Sequence, residues 1–171
     1  RDFISPEDLV KDGLLAQHEL GQYDFGGNVE AVDYGALYNN RFKMLRVAYD
    51  RFKENPDPEF ETFREENKDW LDDYGLFMAL KNANEGKAWV DWDHSLRTRD
   101  PDALKEAHEK YADVVGFYAF QQYEFMKQWR KLKAYANENG VKIIGDIPFY
   151  TAFDSADTWG NPKMYLFDKD L

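Results

Sequence analysis

Three acids near the C-terminal end of the chain, Asp146, Asp154 and Asp157, combine residue type and spacing in a way that could do chemistry. Carboxylates gathered at the mouth of a barrel or cleft serve as acid and base, or act on sugars. Asp146 closes the short β-branched run Val141-Lys142-Ile143-Ile144-Gly145 and is followed by Ile147-Pro148. The run over 141–148 reads as a buried strand. An acid at the C-terminal end of such a strand is positioned to hydrogen-bond a ligand hydroxyl or to hold a neighbouring group. Asp154 and Asp157 have a plainer reading, since Asp154-Ser155 is also a turn or helix cap that Asp157 would decorate.

Other chemistries lack their residues. There is no phosphate-cradling glycine loop and no G-x-S-x-G elbow. His18, His94 and His108 are far apart and none has a metal-ligand spacing, so no metal site is expected. Cysteine is absent, which removes disulfides and thiolate chemistry. A net charge of −11 opposes the neutralisation of phosphates, so nucleic acid and anionic membranes are poor partners. No apolar run has the length of a membrane span and no secretory signal is recognisable, so a cytoplasmic setting is expected.

Aromatic residues make up 17% of the chain and suit sugars, whose C–H faces stack on flat rings. Phe77, Phe125 and Trp129 fall on helical stripes and read as core. Tyr34, Tyr38, Trp89, Trp92, Tyr150 and Trp159 sit near element ends, where a ring can face a ligand instead.

The elements that must position these groups are mostly helices. Ser5-Pro6-Glu7-Asp8 supplies a cap, a first-turn proline and first-turn acids, for a helix stopped by Gly13. Glycines at 21, 26 and 27 mark a loop up to Val32. Asp33 caps an apolar stripe through Leu45 and Phe52 that ends before Asn55-Pro56. Asp57-Pro58 opens a helix with Phe60 and Phe63, and another runs through Trp70, Leu71, Tyr74, Phe77 and Leu80 to Gly86. Trp89 and Trp92 are expected to cover a core edge. Asp100-Pro101 begins a long helical pattern, with Gly116 as a candidate break, that stops at Asn139-Gly140.

A helix followed at once by a strand is the α-to-β step of a parallel α/β unit. One strand needs neighbours for its backbone groups, and this chain offers few other strand patterns. At 171 residues it is also short of the ~250 of a complete (β/α)₈ barrel. The expectation is a segment of a larger α/β enzyme; the alternative is a small α+β domain whose sheet partners lie around Gly21 to Val32 and in the tail.

The string VKIIGDIPFYTAFDSADTWGNP, residues 141–162, resembles the first shared barrel-strand motif of the 4-alpha-glucanotransferases, the amylomaltases or disproportionating enzymes. ISPEDLVKDGLL, VDYGALYNNRFKMLRVAY, WLDDYGLFMALKNANEGKAWVDW, LRTRDPDAL and FMKQWRKLKAYANENGVKIIGDIP resemble the same family in the same order, over essentially the whole chain. The resemblance implies a retaining transfer of α-1,4-glucan segments between maltooligosaccharides on a barrel with helical insertions, without a cofactor. It implies a mainly α chain with a small α/β part: a helical insertion over 1–139 ending in a barrel-covering helix, and a barrel strand with its active-site-side loop over 140–171. The family's catalytic motifs, of the R-I-D-H, A-E-D-L-G and T-H-D-N types, do not occur here. No residue is therefore assigned a catalytic role, and the isolated chain is expected to be inactive. Asp146 aligns with the acid bordering the donor-sugar subsite and Tyr38 with an aromatic of a secondary glucan contact; Tyr150 and Trp159 complete the expected substrate-binding set. Expected partners are an α-1,4-glucan and the rest of the parent barrel. A non-catalytic glucan-binding module and a purely structural helical insertion are the alternatives.

Overall fold

The computed structural model describes residues 3–28 and 30–168. Contacts divide the chain into two compact units, one of residues 1–62 with 120–143 and one of residues 63–119 with 144–171.

In the first unit, α1 (Pro6–Lys11) starts where the Ser5 hydroxyl accepts the Asp8 N–H, and the chain leaves it through Gly13 at φ +76°. A short α2 (Gln17–Leu20) is fixed by Glu19, whose carboxylate accepts the Ala16 N–H at 2.7 Å and two Arg51 guanidinium bonds at 2.6 Å each. Asp33 caps α3 (Tyr34–Glu54), accepting the Ala36 N–H at 2.8 Å. The stripe of α3 buries Met44, Leu45, Ala48, Tyr49 and Phe52. Phe52 lies 5.1 Å from the Phe60 ring, which belongs to α4 (Glu59–Glu66), and 4.9 Å from Phe120. Phe120 sits on α8 (Ala112–Glu138). Each fully buried ring or aliphatic chain of this cluster contributes ~1.5–3 kcal/mol over an exposed one.

In the second unit, α5 (Lys68–Ala83) places Leu76, Phe77 and Leu80 in a core with Trp89, Trp92, Ala107, Val115 and Trp159. Trp89 stands on a 3₁₀ turn, Trp89–Asp91, and α6 (His94–Arg97) and α7 (Pro101–Lys110) follow. The Asp100 carboxylate caps α7 through the Asp102 and Ala103 N–H groups, with Pro101 in the first turn. Residues 112–119 of α8 and a short α9 (Ala156–Gly160) complete the packing. Gly75 marks the tightest approach: a Cβ there would stand 2.9 Å from Val115 Cγ1 and 3.2 Å from the Val115 carbonyl.

The expected helices form at their expected caps, with two differences. The long C-terminal pattern breaks at Tyr111, not at Gly116, which lies inside α8. The Tyr111 N–H closes α7 on the Ala107 carbonyl, while its own carbonyl accepts the Val114 and Val115 N–H groups that start α8. The second difference is the strand. No strand occurs among the described residues, and the run 141–148, read as a buried strand, is exposed and without regular secondary structure. Neither residues 21–28 nor the described tail supplies a partner ladder. A lone strand cannot satisfy its own N–H and C=O groups, so in this chain they face solvent. The described chain is thus helical, and the small α+β alternative falls.

Candidate functional site

The residues expected to meet a ligand are distributed over both units. Tyr38 belongs to the first, at the start of α3, where its ring is 64% exposed and meets Phe42 edge-on at 5.9 Å. Asp33 holds that end of α3 in place, so Tyr38 is presented from a capped helix turn and not from a loose loop.

Asp146 and Tyr150 belong to the second unit, on the exposed run after α8. One Asp146 oxygen accepts the Ile147 N–H at 2.9 Å, a local bond that leaves the rest of the carboxylate open to a donor. Tyr150 is 88% exposed and its ring packs only 4.9 Å from that of Phe149, itself exposed. Ile144 and Ile147 on the same run are also exposed. Four large apolar groups beside one acid form a surface that could take up the apolar faces and hydroxyls of a sugar, or pack against further protein.

Trp159 differs from its expected role. It is 1% exposed, its indole N–H donates to the Leu96 carbonyl at 2.9 Å, and its ring meets Trp92 at 5.7 Å and Phe77 at 6.0 Å. Arg99 covers another side with its guanidinium carbon 4.3 Å from the ring centre. No face remains for a sugar, so Trp159 anchors the core. The sequence disguised this because α9 is too short to show a period.

Asp154 takes the plainer of its two readings and more. Its carboxylate pairs with the Lys81 ammonium and accepts the Trp89 N–H at 3.3 Å, while the Trp89 indole donates to the Phe153 carbonyl at 2.8 Å. Ser155, the next residue, caps α9 through the Thr158 N–H. Asp154 therefore ties the segment following Asp146 to α5 and to the 3₁₀ turn. Asp157 is exposed in the first turn of α9.

The sequence reading missed Glu124, in the first unit. This residue of α8 is 0% exposed, and neither carboxylate oxygen has a hydrogen-bond donor. Lys127 Nζ lies 3.8 Å away and pairs more closely with Asp12 at 2.8 Å, with Asp57 at 3.6 Å. Burial pushes the Glu124 carboxyl up to about 7 against the pull of Lys127. The residues line a cavity of about 440 Å³ with Leu14, Phe52, Asn55, Pro56 and Pro58. A glutamate on a charged helix reads as surface, and only its place on the Phe120–Tyr123 side of α8 hints otherwise.

No group of described residues has the arrangement of a metal site, and no described helix is long and apolar enough to cross a membrane.

The model of the 4-alpha-glucanotransferase family matches residues 2–171. The chain belongs to that family. It is 40% identical over 168 residues to the 4-alpha-glucanotransferase of Clostridium butyricum, a match covering 98% of this chain and 34% of that protein. The Thermus thermophilus 4-alpha-glucanotransferase is 45% identical over 143 residues, covering 81% of this chain and 29% of the relative. Among solved structures, the amylomaltase from Streptococcus agalactiae in complex with acarbose superposes with a TM-score of 0.93 at 32% identity, over 99% of this chain and 34% of that one. This 4-alpha-glucanotransferase-family chain thus spans about a third of the length of the relatives it matches.

Proposed function

We propose that this chain is the helical portion of a 4-alpha-glucanotransferase that moves α-1,4-glucan segments between maltooligosaccharides with retention of configuration. The observation that carries the reading is the family match over residues 2–171. The amylomaltase likeness over nearly the whole chain supports it, that structure being a complex with acarbose. In this reading residues 1–139 are a helical insertion and 140–171 a barrel strand with its loop. The run 141–148 becomes a strand when neighbouring strands satisfy its backbone, which explains why its apolar side chains stand in solvent here. Asp146 then lies at a barrel strand's C-terminal end, where it accepts a donor-sugar hydroxyl, with Tyr150 beside it and Tyr38 as a secondary contact.

Retention needs two carboxyl groups about 5–5.5 Å apart across the scissile bond. The motifs that supply them in the family are not in this sequence, so Asp146 positions and does not attack. Incubating the 171-residue chain with maltotriose is expected to leave the sugar unchanged; redistribution into glucose and longer chains would place the bond-breaking acids within it. In a longer protein that carries these residues and disproportionates maltotriose, Asp146→Ala is expected to lower kcat/KM by roughly 10- to 150-fold, the loss of one charged hydrogen bond. An unchanged kcat/KM would remove Asp146 from the site.

A further inference from the structure

A second place in the chain has the makings of a sugar contact, on the second unit and away from the exposed run. Trp70 and Tyr74 stand one turn apart on α5, their ring centres 6.3 Å apart and their planes at 56°. Trp70 is 42% exposed even though its indole N–H is held, donating to the Asn67 side-chain oxygen at 3.1 Å. Its helix stripe marks it as core, yet the structure leaves its face open.

Beside these rings is a pocket of about 160 Å³ lined by Asp69, Trp70, Asp73, Tyr74, Asp157 and Asn161, with Ala156 as its remaining wall. Asp73 is committed to the wall: it accepts two Arg99 bonds at 2.8 and 2.9 Å, and the Arg99 guanidinium sits over the ring of the buried Trp159. Gly160 permits that approach, since a Cβ there would stand 3.3 Å from Asp73 Oδ2. Arg99 holds φ at +60°, an uncommon backbone state for a side chain other than glycine. The wall is therefore rigid. The side chains of Asp69, Asp157 and Asn161 are exposed at this pocket and make no side-chain hydrogen bond to a described residue.

We propose that this pocket is an accessory subsite for one glucose ring of an α-1,4-glucan. The apolar C–H face of the pyranose stacks on Trp70 with Tyr74 at its edge. Its hydroxyls donate to the Asp69 and Asp157 carboxylates, and the Asn161 side chain takes a further hydroxyl or ring oxygen. The volume is below the ~300–1,000 Å³ of pockets that enclose whole small ligands, so it admits a single ring and leaves the rest of the glucan outside. The choice of glucan rests on the family reading above; the site itself rests on the rings and the three unengaged polar groups.

The test follows indole N–H resonances in a ¹⁵N-labelled 171-residue chain titrated with maltoheptaose into the tens of millimolar. The Trp70 signal, assigned through Trp70→Phe, is expected to move saturably while that of buried Trp159 stays still. Asp157→Ala and Asn161→Ala are each expected to weaken the interaction roughly three- to tenfold, with an unmoved Trp159 signal reporting that the core is intact. The proposal is overturned if Trp70 does not respond, or responds in both variants with the wild-type affinity. It is also overturned if tetramethylammonium moves Trp70 and maltoheptaose does not, which would make this an organic-cation site. Shifts confined to the amides of Asp146, Tyr150 or Tyr38 leave the family reading standing and remove this subsite, so the two can fail separately.

Discussion

At Glu124 the free-energy balance depends on a proton. A carboxyl held near 7 in the fold and near 4.5 in the unfolded chain binds its proton more tightly when folded. Its favourable contribution is complete below pH 4.5 and is lost as pH rises through 7, up to about 3 kcal/mol in all. Urea midpoints measured at pH 5.5 and 8 are expected to fall with pH in the wild type. In Glu124→Gln that fall is expected to flatten, with the variant the more stable at pH 8. Trp159 gives the opposite kind of residue: Trp159→Ala opens a cavity beneath Arg99, Trp92 and Phe77 and is expected to cost ~3–5 kcal/mol in urea unfolding. Neither assignment was legible in the sequence. A lone glutamate among Gln and Lys reads as solvated, and a tryptophan immediately before Gly160-Asn161-Pro162 reads as loop, because burial of a single side chain is decided by tertiary packing that no local period records.

The helices were legible because their ends carry their own chemistry. Ser5, Asp33 and Asp100 each accept a backbone N–H of the first turn, and Gly140 takes φ +76° past the end of α8. Asp33→Ala is expected to destabilise the first unit by about 1 kcal/mol and to speed amide exchange at Ala36 and Leu37 before it affects the middle of α3. The Tyr111 break escaped notice for a related reason: a helix can close and restart on one residue's N–H and C=O without any glycine or proline to mark it. Lys81 with Asp154 does at tertiary range what a cap does locally. Removing it with Asp154→Asn is expected to raise proteolytic cleavage between Phe153 and Trp159 while α5 stays intact, as read by mass spectrometry of the early fragments.

At the scale of the whole chain the strand was legible as a pattern but not as an outcome. Val141, Ile143 and Ile144 have the side chains of a sheet, yet hydrogen-bonded ladders are made between segments, and no second segment among the described residues answers. The unsatisfied result is an apolar band at Ile144, Ile147, Phe149 and Tyr150. The chain is expected to bind a hydrophobic dye in its native state, and a variant with serine at Ile144, Ile147 and Phe149 is expected to lose most of that signal without a change in helical circular dichroism. Where Val115 presses against Gly75, the closeness also limits which residue the position can hold. Most exposed positions of α5 can take many residues at little cost, but a Cβ at this buried one would meet the Val115 carbonyl as well as its methyl group, so trimming the Val115 side chain alone does not make room for alanine.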